Sequence, residues 1–373
     1  MSTVLSVKAT STDHKDLIHD VSYNFYGDRM ATCSSDQHVK VWERDENEDW
    51  VVQSSWKAHS AVISRVIWAH PEFGHVLATC SFDRTAIVWE ELVSVSAPGE
   101  VRNQWVMKHT FVDSRTSVSD VKFAPKHLGL YLATCSNDGT VRVYEAQDVM
   151  NLGLWSPVLE INIKMSCSSI SWCSATRLPP LIAVGCDDPG PSQTGKVILY
   201  EISDGMRKYT LVDSVVSVTS PVQDVSFAPN LGRSVNLLAI ASKDVTIVEF
   251  KCQGKDLANS GQTKFDQNLV AQFNDHKQTV WRLCWNVTGT TLASTGDDGC
   301  VRLWRSNYLR KWSCHSILKG DGSLIKQPGM ETSSQAGSSS SSNQGEEGRH
   351  AQLKRNNGWP YFHTTKDQSN HYY

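Results

Sequence analysis

Short apolar runs recur along the chain, each followed by a polar turn and then an alternating stretch that closes on an aromatic or apolar residue. Residues 30–42 read MATCSSDQHVKVW, residues 77–89 LATCSFDRTAIVW and residues 132–144 LATCSNDGTVRVY. A degenerate copy spans 182–200, LAIASKDVTIV covers 238–248, and LASTGDDGCVRLW covers 292–304. The closing positions are Trp42, Trp89, Tyr144, Tyr200, Val248 and Trp304, spaced by 47, 55, 56, 48 and 56 residues. Each copy predicts a hairpin. Leu77-Ala78-Thr79-Cys80 is an apolar strand, Phe82-Asp83-Arg84 a tight turn, and the alternation up to Trp89 a second strand. Asp and Gly suit such a turn because both accept unusual backbone angles and Asp can bond its own backbone. Upstream of each hairpin lies another expected strand, at residues 20–25, 64–68, 120–123, 169–172, 224–227 and 281–285. A fourth, less regular strand is expected after each closing residue.

Four strands per unit, rich in β-branched and aromatic residues, predict the blades of an all-β propeller. The units are slightly longer than the roughly 40–45 residues of a WD-type blade. Six are countable, and residues 308–318 supply the outer strand of the sixth. Val4-Leu5-Ser6-Val7 offers at most one further strand, so a seventh blade is not encoded. Either six blades close on themselves or the ring stays open. An open ring is expected to present unpaired strand edges, which invite strand addition by another chain. The candidate edge residues are Val4, Leu5 and Val7 on the first blade's side, and Trp281, Trp285, Val301 and Leu303 on the sixth.

Composition narrows the class. With 36 Lys+Arg against 39 Asp+Glu and a net charge of −3, the chain lacks the basic excess of a nucleic-acid binder, and direct nucleic-acid contact is not expected. No apolar run approaches the roughly 18 residues of a membrane span, and the first residues lack a signal-peptide core. Ten Cys are scattered without a C-x-x-C pair, which predicts free thiols in a reduced, intracellular protein rather than a zinc or redox site. From about residue 320 the character changes to Gly, Ser and Gln, with five serines at 338–342. That composition cannot bury enough apolar surface to offset ordering. The expected organisation is therefore a propeller over 1–319 and a disordered tail over 320–373, whose aromatic end is a candidate docking peptide.

His14, His59 and His276 each precede a strand by a fixed offset, and recur with turn acids Asp36, Asp83 and Asp298 and with Trp42, Trp89 and Trp304. Strand hydroxyls such as Thr79 and Ser81 complete a Ser/His/Asp set that, alone, would suggest a hydrolase. Threefold repetition argues for a buried polar network instead, because an enzyme needs one triad. Blades three to five show no clear His at that place. Cys33, Cys80 and Cys135 share one repeat position and are expected to pack in different layers as small hydrophobes, not to gather round a metal. No phosphate-binding glycine loop is present. Asp187-Asp188 and Asp297-Asp298 fall in predicted turns. No cofactor or metal is expected.

These repeats resemble the WD-repeat family, with departures: the WD dipeptide becomes Trp42-Glu43, Trp89-Glu90, Tyr144-Glu145, Tyr200-Glu201 and Trp304-Arg305. Five loop segments, DHKDLIHDVS, WAHPEFG, VDSRTSVSDVKFAPKH, FAPNLGRS and GDDGCVRLW, are similar to the Sec-thirteen-like WD-repeat nucleoporins of the Y-shaped nuclear-pore scaffold. The resemblance spans about residues 13–320 and is silent on the tail. It implies a non-enzymatic subunit at the nuclear envelope, in an open ring completed by a blade from an α-helical, coat-like nucleoporin. It also implies a second place in a lysosomal complex relaying amino-acid status to the TOR kinase, and a mitotic place at kinetochores. The competing reading is an adaptor that holds a modified tail or degron at the channel mouth, and an enzyme is a third. A reader needs an aromatic or charged cluster at that mouth, whereas a scaffold needs an unfilled blade slot. Limited proteolysis is expected to trim the chain to a stable core ending near Leu318. A chain made insoluble by truncation at Lys319 would show that the tail is packed.

Overall fold

Six antiparallel sheets follow one another along the chain in a computed structural model that describes residues 10–96, 100–190, 195–203, 205–215, 218–256, 262–320 and 323–325. Blade one is Ile18–Tyr23, Arg29–Ser34, His38–Arg44 and Trp50–Lys57, and blade two Ile63–Trp68, Val76–Ser81, Ala86–Ser96 and Glu100–Phe111. Blade three is Val118–Phe123, Tyr131–Ser136, Thr140–Ala146 and Trp155–Asn162, and blade four Cys167–Trp172, Leu181–Cys186, Val197–Ser203 and Lys208–Ser214. Blade five is Asp224–Phe227, Asn236–Ala241, Val245–Asp256 and Gln262–Phe273. Blade six is Val280–Trp285, Thr291–Gly296, Cys300–Ser306 and Trp312–Lys319, with a fifth strand at Leu324–Ile325. That last strand pairs with Ile317 and Leu318, so the sheet crosses the domain boundary expected at 319. The rest of the tail, and Val4, Leu5 and Val7, lie outside the described residues.

The hairpin register is the one the repeats predict. Met30 faces Trp42, Leu77 faces Trp89, Leu132 faces Tyr144, Ile182 faces Tyr200, Leu238 faces Val248 and Leu292 faces Trp304. The first strand of blade one begins two residues before its expected start, and Phe25 falls beyond it in the turn. In all six blades the third and fourth strands shift register just before the closing residue, for example between Val41 and Trp42. Such bulges add twist, which suits blades stacked around an axis. The hairpin turns hold a positive φ at Gln37, Arg84, Gly139 and Gly299. Only at Gly139 would a Cβ also meet backbone, the Met165 carbonyl, at 2.7 Å.

The core is a set of layers between neighbouring blades. Ala31, Cys33, Val39 and Val41 of blade one pack on Val66, Trp68, Leu77 and Trp89 of blade two. Cys80 lies in the next layer and Cys135 in the one after, so the three equivalent cysteines are buried apart from one another. Arg29 of blade one adds a two-pronged ion pair to Glu91 of blade two at 2.6 and 2.8 Å, lying over the rings of Trp68 and Trp105. Because each layer is shared by two blades, deleting one side chain loosens both. Leu132→Ala, at a fully buried position, is expected to cost about 2–5 kcal/mol in urea unfolding. A cost below about 1 kcal/mol would show that the layer collapses to fill the space.

Candidate functional site

The repeated His, Asp and Trp residues come together within each of three blades. His14 Nδ1 lies 2.9 Å from Asp36, its Nε2 lies 2.9 Å from Thr32 Oγ1, and the Trp42 indole donates to the same Thr32 oxygen at 3.0 Å. His59, Asp83, Thr79 and Trp89 repeat this at 3.0, 2.8 and 3.0 Å, and His276, Asp298, Ser294 and Trp304 at 2.9, 2.7 and 2.8 Å. Ser81 stands outside the His chain; its oxygen accepts the Asp83 amide and its hydroxyl donates to the Val62 carbonyl. In blades one and two, Asp36 and Asp83 can only accept, so the imidazole proton faces the carboxylate and the hydroxyl donates to Nε2. The indole then engages that hydroxyl oxygen. Thr32, Thr79 and Ser294 are buried, so no substrate reaches an oxygen that would have to act as nucleophile. Burial pushes the Asp83 carboxyl up, but bonds from His59 and Thr85 outweigh it and hold it well below the usual range. Burial lowers His14 and His276 despite their acid partners.

Blade three solves the same problem without His. Ser114 takes the His place, Arg142 reaches Ser114 and Ser136, and the Tyr144 hydroxyl donates to Asp113 at 2.9 Å. In blade four Lys196 is buried and donates to the Asp188 carbonyl.

A second polar set, missed by the hairpin reading, lines the axis. Each inner strand carries one residue just before its core position: Asp20, Arg65, Asp120, Ser169, Asp224 and Arg282. Asp20 accepts the Val66 amide of the next blade at 3.2 Å, Asp120 that of Ile170 at 3.0 Å and Asp224 that of Leu283 at 2.9 Å. Arg65 pairs with Asp120 at 3.3 Å and reaches from blade two to Asp224 of blade five at 3.5 Å. Aligning the six segments DVSY, RVIW, DVKF, SISW, DVSF and RLCW shows this position in the sequence, but only the ring brings the charges together. The channel is thus crossed by a buried guanidinium. A cavity of about 300 Å³ is lined by Lys122, Ser171, Trp172 and Ser226, among others, from the inner strands of blades three, four and five. Among the described residues no group of three or more His, Cys, Asp or Glu is placed to hold a metal.

The third feature, among the described residues, is a gap between blades six and one. At equivalent inner-strand positions, Val66, Val121, Ile170, Val225 and Leu283 are at most 8% exposed, whereas Val21 of blade one is 39% exposed. Tyr23 is 55% exposed where Trp68, Trp172, Phe227 and Trp285 are buried. On the opposite flank, Val301 and Leu303 of blade six are half-buried. Their counterparts Val39, Val41, Val141, Val143, Val245 and Ile247 are fully buried. Two candidate edge residues therefore face the gap. Trp285 does not: it packs on blade five and donates to the Ser226 carbonyl at 3.0 Å. Trp281 bonds Asp297 in its own blade's turn at 2.6 Å. The expectation of unpaired strand edges is also corrected. Blades meet face to face, the strand edges of a blade lie at the axis and the rim, and the gap exposes two sheet faces.

Six antiparallel blades, five of four strands and the sixth of five, with a His–Asp–hydroxyl–Trp network in three of them, define a WD-repeat β-propeller. The family described as WD domain, G-beta repeat matches residues 6–43, 50–90, 105–145 and 267–305, which cover the first three strands of blades one, two, three and six, the last three matches each beginning in the outer strand of the blade before. Nucleoporin SEH1 of Homo sapiens is 58% identical over 323 residues, covering 85% of this chain and 89% of that protein. The Xenopus tropicalis protein of the same name is also 58% identical with the same coverage, and that of Danio rerio is 56% identical over 322 residues, 85% of this chain and 88% of its own. The chain belongs to the nucleoporin SEH1 family.

Two measurements probe these networks. Asp83→Ala strips His59 and the Ser60 amide of their acceptor and is expected to cost about 1–3 kcal/mol, with no hydrolysis of ester or peptide substrates before or after. A turnover lost on substitution at unchanged melting temperature would instead mark a catalytic triad. The second concerns pH. Burial pushes Asp224 up to about 6, against the pull of Arg65 and Lys122. With the folded pKa above the unfolded 3.8, the folded state binds the proton more tightly, so this group's contribution falls as pH rises through that window. Asp224→Asn is therefore expected to gain stability relative to the parent between about pH 4 and 6; a pH-independent difference in urea midpoint would contradict it.

Proposed function

We propose that this protein is a non-enzymatic scaffold subunit of the nuclear pore complex, at the nuclear envelope, within the Y-shaped outer-ring assembly. Its binding site is the gap between blades six and one. The observation that carries the reading is the pair of uncovered apolar faces, Val21 and Tyr23 on one side and Val301 and Leu303 on the other. Each faces a position where the other blades have a neighbour. A partner that donates one blade of its own would cover both at once, sheet against sheet, as blades two to five already do. An α-helical coat-like nucleoporin is the partner of that description implied by the resemblance, and membership of the SEH1 family supports it. A lysosomal amino-acid-signalling complex linked to the TOR kinase, and kinetochores in mitosis, are further settings supported by resemblance alone; a related helical host would use the same slot.

The reader of modified tails has less support. A peptide threading the axis would have to displace Arg65 from two buried carboxylates, and removing one partner of a buried pair costs about 3–5 kcal/mol. The two readings separate by experiment. Leu303→Glu, at a half-buried site of the gap, is expected to leave the fold intact and to weaken capture of a co-expressed helical nucleoporin at least about tenfold, since a charge is then desolvated in the interface. Hydrogen exchange on the captured complex should show protection gained over Ile18–Tyr23 and Cys300–Ser306. Protection confined to loops around the channel mouth, with unchanged capture by Leu303→Glu, would transfer the function to the peptide reader.

A further inference from the structure

Arg282 occupies, in blade six, the place that Asp20, Asp120 and Asp224 hold in blades one, three and five. Those carboxylates tie each blade to the next by accepting an inner-strand amide. A guanidinium has no acceptor, so blade six cannot hold the Val21 amide in that way. Arg282 acts in the reverse sense. Its Nη2 donates to the His19 carbonyl of blade one at 2.9 Å and reaches the Ser64 carbonyl of blade two at 3.4 Å. His19 and Ser64 are both bulge residues, at register breaks between Ile18 and Asp20 and between Ile63 and Arg65. A bulge leaves its residue outside the ladder, so these carbonyls are free to accept a side chain from across the axis.

We propose that Arg282 is the clasp of the open ring: it ties blade six to blades one and two beside the axis and so sets the width of the gap. The physical need is clear from the burial pattern. Five junctions are held by buried apolar layers, whereas at the sixth Val21 and Tyr23 are exposed and Val301 and Leu303 only half-buried. Without a tether at the axis, the ring's two terminal blades would be free to splay about the other junctions. Charge-assisted bonds to backbone carbonyls suit this task because they are strong at short range and do not need a matching side chain. They also leave the outer part of the gap open to an incoming blade. The role in setting the slot for a partner rests on the scaffold reading, whereas the clasp itself does not.

Hydrogen exchange on the full chain, without partner, tests the clasp. Arg282→Met is expected to speed amide exchange by at least about tenfold in Ile18–Tyr23 and Val280–Trp285, while Val118–Phe123, opposite the gap, stays as in the parent. If Arg282→Met fails to fold, Arg282→Gln, which keeps a polar donor but cannot reach both carbonyls, is read in its place with the same expectation. Exchange that is unchanged, or that rises equally in all inner strands, overturns the clasp. Failure of the scaffold reading shows elsewhere, as capture of the helical partner that Leu303→Glu does not weaken, so the two outcomes are told apart.

Discussion

A propeller blade is a sheet with two apolar faces, and neither face can be left in water without cost. In an ordinary two-layer domain one sheet face is covered and the other solvated. Here every blade from two to five is covered on both sides by its neighbours, and its second strand is buried almost end to end. Packing between blades, not pairing within them, is therefore what holds the chain together. The bulge before each closing residue, the large rings at the rim of each layer and the small Ala-Thr-Cys-Ser strands all serve that face-to-face fit. The same constraint creates the one exception. Six blades provide five filled junctions, and the two faces left over keep the residues of a core without its cover.

Polar groups inside such a stack must be satisfied locally, because water is excluded from the layers. The molecule does this with two recurring devices at different radii. Within a blade, His, Asp, a hydroxyl and Trp form a chain in which each donor meets one acceptor. Along the axis, acids take up the amides of the next blade, and Arg65 offsets their charge. Blade three shows that the first device is a requirement for satisfied hydrogen bonds rather than for particular residues, since Ser114, Arg142 and Tyr144 meet it without histidine. Both devices resemble catalytic or binding constellations when their residues are taken singly. Burial and repetition turn them into structure.

On the proposed scaffold reading, function falls to the gap. The axis is crossed by a buried ion cluster, and opening it would uncover charges whose desolvation is already offset by their partners. The gap asks for the opposite: an apolar, sheet-like surface that completes what the blades began. On the scaffold reading proposed above, a partner able to supply a blade would meet that demand, and the ring's geometry, rather than a reactive side chain, would be the thing recognised.

The sequence by itself determined the number of blades, the hairpin register and the His, Asp and Trp members of the networks. Those rest on local rules, alternation within strands and turn chemistry at fixed offsets, which one repeat after another restates. Among the described residues six blades are formed, the number the repeats predict. Tertiary structure decided what local patterns cannot carry. Trp285 and Leu303 look alike as apolar residues of blade six, yet one is buried on blade five and the other faces the gap. Their side of the sheet depends on strand register and on which neighbour lies there. The axial charges Asp20, Arg65, Asp120 and Asp224 stand between 45 and 104 residues from one to the next in the chain, and come together only when the inner strands converge. That the open junction exposes faces rather than strand edges follows from how blades stack, because hydrogen bonds run within a blade and only side chains meet between blades.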